Sequence, residues 1–218
     1  MNDRSRARSH KQVARLPPGC AMDGVRRRIL EGGLHLFATR GFHGASMRDL
    51  AGSIGLAPSA VYAHFASKAG LLAELVRLGH EVHHEEIRAA MLDAGADPVA
   101  QLRALVRANV RMHASYPDLA ITTNNELEAL PPELAAPGLA LRKQSVALLL
   151  AVIERGTALG RFSPPNVPVV AAAIGAMGLR IPYWYSPETG LGIDELAELH
   201  VQLALRMLGV STIQEGAT

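Results

Sequence analysis

Three residues near the middle of the chain, His80, Glu81 and His84, form the pattern H-E-x-x-H. On a helix this spacing places two imidazoles one turn apart, where they can bind zinc while the glutamate acts as general base of a metalloprotease. The metzincin form of the pattern continues with a glycine at position 87 and a histidine at position 90. This chain has Ile87 and Ala90 there. The protease interpretation is therefore disfavoured, and we expect the protein not to be an enzyme.

The composition is typical of a globular protein without disulfides. The chain has 218 residues, 49% of them hydrophobic, and a single cysteine, Cys20, which excludes an intramolecular disulfide framework. The longest stretch without charge, residues 162–179, is interrupted by three prolines, and its apolar part is well short of the ~20 residues of a membrane span. The basic N-terminus lacks the apolar core of a secretory signal. We expect a soluble cytoplasmic protein.

The small net charge of +2 hides an asymmetry between the two parts of the chain. Residues 1–70 contain 11 Lys and Arg and 4 Asp and Glu, a balance of 11 − 4 = +7. Residues 71–218 contain 11 and 16, a balance of 11 − 16 = −5. A basic N-terminal part indicates binding to a polyanion, of which nucleic acid is the most common.

Apolar residues recur at three- and four-residue spacing along nearly the whole chain, which predicts an all-α fold of about nine helices without a sheet. Four helices are expected in the first part, with Asp23, Ser46 and Ser67 as N-caps and Pro58 in a first turn. Gly41 and Gly55 end the first two. Further helices are predicted around residues 102–113, 117–130, 133–160, 169–183 and 193–208.

The first three helices lie within about 45 residues, and a glycine-containing turn at residues 53–56 joins the second to the third, as in a helix-turn-helix. In that motif the helix after the turn lies in the DNA major groove. The preceding helix and flanking residues contact phosphates.

Residues 26–75 resemble the DNA-binding domain of the TetR family of bacterial transcriptional regulators. The resemblance rests on three parts of the sequence: Phe37 with Gly41-Phe42, the opening SMRDLA of the second helix at residues 46–51, and VYxHFxxKxxLL at residues 61–72. It implies four regions: a basic disordered arm at 1–20, the helix-turn-helix domain at 21–68, a regulatory ligand-binding and dimerisation domain at 69–210, and a tail at 211–218.

The resemblance also implies a homodimer that binds a palindromic DNA operator as a repressor. Ser46, Arg48 and Lys68 are then expected to contact phosphate, and Tyr62 and His64 to contact backbone or base edges. Residues 57–60 offer no Arg, Asn or Gln for bidentate base recognition. Base reading would instead use Ser59, Tyr62, Arg48, thymine-methyl contacts through Ala57 or Ala60, and DNA shape. Arginines of the arm could add phosphate or minor-groove contacts.

The remaining chain is expected to supply the dimer interface and an effector pocket. Small residues in the helix at 169–183 permit close helix approach, and with the last helix it would form a four-helix bundle across the dimer. Two stretches, residues 116–130 and 181–209, are similar to a TetR subgroup that responds to acyl-CoA thioesters. The residues that could line such a pocket are Met112, His113, Asn124, Asn125, Met177, Arg180 and Trp184. No cofactor is implied.

A metal-sensing TetR-type regulator stays open as the alternative. His80 and His84 share one helix face and could bind a divalent ion together with a third group from another helix.

Overall fold

The computed structural model describes residues 14–18, 20 and 24–210 of the chain. Within these residues it contains nine α-helices and no strand, which confirms the predicted all-α fold. The helices are α1 (Gly24–Arg40), α2 (Met47–Ser53), α3 (Pro58–His64), α4 (Lys68–Asp93), α5 (Pro98–Ser115), α6 (Pro117–Asn125), α7 (Pro132–Ala158), α8 (Val167–Trp184) and α9 (Ile193–Met207).

The predicted helix ends at the start of the chain are set by the residues that the sequence indicated. The Ser46 side chain accepts a hydrogen bond from the Asp49 N–H, as an N-cap does. Ser67 Oγ accepts one from the Gly70 N–H in the same way at the start of α4. Gly41, with φ of 70°, follows α1 in the left-handed conformation that glycine adopts readily. The predicted cap Asp23 lies outside the described residues.

The helices form two compact units, each with its own apolar core. Unit 1 consists of the described residues up to Val82 together with Tyr116–Leu141, and unit 2 of His83–Ser115 together with the described residues from Arg142 onward. The boundary predicted at residue 68 does not coincide with this division. The difference arises because α6 packs against α1, a long-range pairing that helical periodicity cannot reveal.

In unit 1, α1 packs closely against α2. A Cβ atom added at Gly32 of α1 would lie 2.5 Å from Ile54 Cγ2 and 2.9 Å from Leu50 Cδ1, so a side chain at this position would displace one of them. The fully buried side chains around this contact come from α1 to α4: Ile29, Leu30, Leu34, Leu50, Val61, Leu71, Leu72 and Leu75.

In unit 2, α5 packs against both α8 and α9. Ion pairs accompany the apolar contact between α5 and α9. Arg107 lies 2.6 Å from Glu198, and Arg103 lies 3.3 Å from the same carboxylate. Burial alone would raise the pKa of Glu198, but the hydrogen bonds and charges of its partners outweigh it and lower that pKa below its usual value.

Residues 14–18 and 20 correct the predicted extent of the disordered arm. Leu16 and Cys20 are buried, and the Leu16 N–H donates a hydrogen bond to Glu31 of α1 at 3.1 Å. Arg27, also on α1, donates to the Leu16 carbonyl at 2.6 Å. The prediction of disorder rested on the basic composition of this region and overlooked Leu16 and Cys20, which pack onto unit 1. The rest of the predicted arm, residues 1–13, lies outside the described residues.

Two helices, α7 and α8, are long and apolar enough to cross a membrane by length and composition alone, with mean hydropathies of 1.4 and 1.3. The count of charge-free residues had predicted no such helix. The criterion is weak by itself, because core and interface helices of soluble proteins also meet it.

Candidate nucleic-acid interface

Helices α2 and α3 are joined by a tight turn that matches the predicted helix-turn-helix. Within it, the Leu56 N–H donates to the Ala51 carbonyl at 2.9 Å, and Gly55 has a φ of 66°. Arg28 of α1 donates to the Ile54 carbonyl at 2.7 Å. The turn is therefore fixed both by its own backbone and by a side chain from α1.

Helix α3 buries one side and exposes the other. Val61 is fully buried, whereas Ser59 and Tyr62 are exposed, Tyr62 to 49%. Ala60 and His64 are half-buried. The large exposed aromatic side chain of Tyr62 is therefore available for contact with a ligand surface.

The start of α2 presents polar and basic side chains. Ser46 and Arg48 are exposed, and the Ser46 hydroxyl donates to the Asp49 carboxylate at 2.7 Å. That carboxylate also lies 4.0 Å from Arg40 at the end of α1. Arg40 was not among the predicted contact residues. Its position just before Gly41 places a second exposed cation, in addition to Arg48, near the start of α2.

Lys68, the predicted phosphate contact on α4, is held by the protein itself. Its Nζ donates to the carbonyl of Phe42 at 2.6 Å and to that of Ala45 at 2.8 Å, and it lies 4.2 Å from the centre of the Phe42 ring. A lysine ammonium has three donors, and two of them are used here. The first role of Lys68 is therefore to fix the turn between α1 and α2.

Glu126, which directly follows α6, binds the same turn. The Phe42 N–H donates to Glu126 Oε2 at 3.0 Å. Residues 42 and 126 are 84 positions apart, and the sequence carries no local signal that would pair them.

Two of the three H-E-x-x-H residues of α4 contact other side chains of the protein. Glu81 pairs with Arg77 at 2.8 Å, and His84 Nδ1 lies 3.3 Å from Ser145 Oγ. Among the described residues no group of three or more His, Cys, Asp or Glu side chains is arranged to hold a metal ion. The alternative of a metal sensor built on His80 and His84 thus lacks a third ligand within that part of the chain.

His83, between the two histidines of the pattern, belongs to a polar cluster in unit 2. Its Nε2 lies 2.9 Å from Asn109 Oδ1, and its ring meets that of His113 edge-on, with centroids 5.5 Å apart. Burial lowers the pKa of His83, and the hydrogen bond with Asn109 opposes this only in part. An added Cβ at Gly178 would overlap the Asn109 amide. The three helices α4, α5 and α8 thus meet around the half-buried amide of Asn109.

The predicted effector contacts fall into two groups. Met112, His113, Met177, Arg180 and Trp184 belong to unit 2, whereas Asn124 and Asn125 belong to unit 1. His113 is buried and Met112 and Met177 are half-buried, but Arg180, Trp184 and Asn125 are exposed. Arg180 lies over the Tyr183 ring at 4.5 Å. His83 and Asn109 were not identified from the sequence. Asn109 lies four residues before His113 on α5, and this spacing indicates only a helix.

Two family models match the chain. Residues 29–75 match the model of bacterial regulatory proteins of the tetR family, and residues 95–208 match the tetracyclin repressor-like C-terminal domain. The second match alone covers more than half of the 218 residues.

Characterised relatives and solved structures agree with these models. The HTH-type transcriptional repressor KstR2 of Rhodococcus jostii (strain RHA1) is 26% identical over 184 residues, which cover 84% of this chain and 90% of KstR2. A tetR-family regulatory protein from Rhodococcus RHA1 has a similar structure, with a TM-score of 0.81 and 29% identity over 86% of this chain and 98% of that protein.

A further similar structure is that of AibR in complex with isovaleryl coenzyme A and operator DNA. It has a TM-score of 0.75 and 27% identity, and the match covers 82% of this chain and 97% of AibR. With both family models matched in order along the chain, an all-helical fold and a helix-turn-helix in place, the protein belongs to the TetR family of ligand-responsive, DNA-binding transcriptional regulators.

Proposed function

We propose that the protein is a cytoplasmic repressor that binds a palindromic operator as a homodimer and is released from it by an acyl-CoA thioester. The observation that carries the DNA-binding part is the exposed face of α3, where Ser59 and Tyr62 project. Two exposed arginines, Arg40 and Arg48, lie before and within α2. Cations there would contact phosphates, and the α3 face would contact base edges.

Replacing Arg48 by alanine should weaken binding to the protein's own promoter DNA by about tenfold and lower the slope of log affinity against log salt by about 1 per half-site, because each subunit loses one phosphate contact. Fluorescence anisotropy with labelled promoter DNA at several salt concentrations measures both quantities. Arg88→Ala is the matched control: Arg88 is an equally exposed arginine that pairs with Glu85 in unit 2. If Arg88→Ala had the same effect as Arg48→Ala, the proposed DNA face would be wrong.

The effector class is proposed from the relatives and from the chemistry of unit 2. AibR is similar to this chain and was crystallised with isovaleryl coenzyme A. The core of unit 2 is apolar, and the same unit contains the polar cluster of His83, Asn109 and His113. Apolar walls with a few converging polar groups are typical of a site for an acyl chain with a polar thioester end.

Acyl-CoA thioesters should therefore weaken operator binding, whereas free coenzyme A should not. In the anisotropy assay, isovaleryl-CoA and thioesters of longer or cyclic acids are added at increasing concentration. A coupling of about 1–3 kcal/mol between the two ligands corresponds to a loss of affinity of about 5- to 150-fold. If no thioester shifts the binding curve at saturating concentration, the proposed effector class is wrong while the DNA-binding proposal stands on the Arg48 experiment.

The homodimer is proposed from the exposed apolar faces of α8 and α9. Val169 at 64% and Trp184 at 50% are exposed on α8, and Leu199 at 49% and Leu203 at 46% on α9. Large contiguous apolar patches are rare on the surface of monomeric proteins. A two-fold axis that brings these helices onto their symmetry mates would cover them in an isologous interface.

A further inference from the structure

In the turn between α1 and α2, both backbone polar groups of Phe42 form hydrogen bonds with side chains from other helices or their ends. The Phe42 N–H donates to the carboxylate of Glu126, and the Phe42 carbonyl accepts from the ammonium of Lys68. Lys68 also binds the carbonyl of Ala45, the residue before the cap of α2. Two side chains of opposite charge therefore fix this turn, one from the start of α4 and one from the end of α6.

The turn needs such anchors because its own sequence is permissive. Gly41 has a φ of 70°, and an added Cβ at Gly44 would overlap the Arg40 carbonyl. Two glycines in a six-residue connection leave the unfolded turn many conformations. Hydrogen bonds to charged groups are stronger than neutral ones, so Glu126 and Lys68 select one of these conformations and with it the position of Ser46 and Arg48.

The two anchors lie on the two segments by which the chain leaves and re-enters unit 1. Helix α4 starts at Lys68 and carries the chain out of unit 1 after Val82. The chain returns at Tyr116, and α6 ends just before Glu126. A displacement of either segment would therefore move Phe42 through these hydrogen bonds.

We propose that Glu126 is a positioning residue for the DNA-binding face: together with Lys68 it fixes the α1–α2 turn, and it transmits movements of α6 to the phosphate-contacting edge of α2. This inference rests on the proposed function, since it assigns a role in operator binding. The carboxylate of Glu126 would repel phosphate, so we do not expect it to contact DNA itself. Its effect must therefore act through the turn.

The experiment compares Glu126→Ala with Glu126→Gln and with the control Glu128→Ala. Glu128 is an exposed carboxylate two residues further on. Hydrogen exchange of the Phe42 amide is measured on the free protein, and operator affinity and its salt slope are measured by anisotropy. We expect Glu126→Ala to speed exchange of that amide and to weaken operator binding, each by about tenfold, since a charge-assisted hydrogen bond is lost.

The salt slope should stay unchanged in Glu126→Ala, because no phosphate contact is removed. Glu126→Gln should recover most of the affinity, because its amide oxygen still accepts the Phe42 N–H. Glu128→Ala should behave like the wild type in all measurements.

Two results would overturn the inference. If Phe42 exchange is unchanged in Glu126→Ala, the contact does not hold the turn. If exchange accelerates while operator affinity equals that of Glu128→Ala, the contact stabilises the turn but has no positioning role. Failure of the wild type to bind promoter DNA would instead reject the proposed function and the positioning role with it. The exchange data would still decide separately whether Glu126 holds the turn.

Discussion

Replacing Leu199 and Leu203 together by glutamate should convert the protein to a monomer and weaken operator binding at least 100-fold. The two leucines lie one turn apart on α9 and are 49% and 46% exposed. In the proposed dimer their replacements would place like charges at the two-fold axis without partners, and an unpaired buried charge costs about 3–5 kcal/mol. A monomer reaches only one half-site, so it also loses the second set of DNA contacts.

Sedimentation equilibrium measures the oligomeric state of this double variant, and anisotropy measures its DNA binding. The control is Leu92→Glu on α4, because Leu92 is 56% exposed and lies on neither α8 nor α9. We expect Leu92→Glu to remain dimeric with unchanged affinity. A double variant that stayed dimeric would show that the interface uses another surface, and a wild-type protein that sediments as a monomer would reject the dimer itself.

The boundaries of the N-terminal helices were predictable because their signals are local, whereas the helix predicted over 117–130 ends at Asn125. Ser46 and Ser67 cap the helices that follow them, and Gly41 and Gly55 adopt the positive φ expected after a helix. Each of these interactions joins residues at most four positions apart. A cap or a left-handed glycine depends on its neighbours alone, so the sequence contains all the information needed.

The contacts that fix the candidate DNA face were not predictable in the same way. The position of Lys68 in the motif predicted a functional role for it. Its acceptors, however, are backbone carbonyls 26 and 23 residues away. Glu126 belongs to a segment whose packing against α1 leaves no trace in its periodicity. Backbone acceptors have no sequence signature, and long-range partners follow only from tertiary packing.

The H-E-x-x-H pattern shows the limit of a short motif. On α4 its glutamate pairs with Arg77 and its second histidine contacts Ser145. The more informative histidine of this stretch is His83, which the motif treats as a variable position. Burial lowers its pKa, and its hydrogen bond with Asn109 joins α4 to α5 within unit 2. The contacts among α4, α5 and α8 around Asn109, and not the motif, distinguish His83 from the other two histidines.

Lys68→Met should weaken operator binding about 100-fold, and the salt slope of that loss separates two roles for the residue. Methionine keeps the apolar stem but removes the ammonium that donates to the carbonyls of Phe42 and Ala45, and each lost charge-assisted hydrogen bond costs about 1.5–3 kcal/mol. In the proposed dimer the displaced turn occurs in both half-sites, which multiplies the effect on affinity.

If Lys68 only positions the turn, the slope of log affinity against log salt in the Lys68→Met variant should equal that of the wild type. If Lys68 also contacts a phosphate, the slope should fall by about 1 per half-site, as for Arg48→Ala. Anisotropy titrations at several salt concentrations give the slopes, and circular dichroism checks that the variant is folded. Unchanged affinity would contradict both roles. Because two of the three ammonium donors already bind carbonyls, we expect the loss of affinity with an unchanged slope.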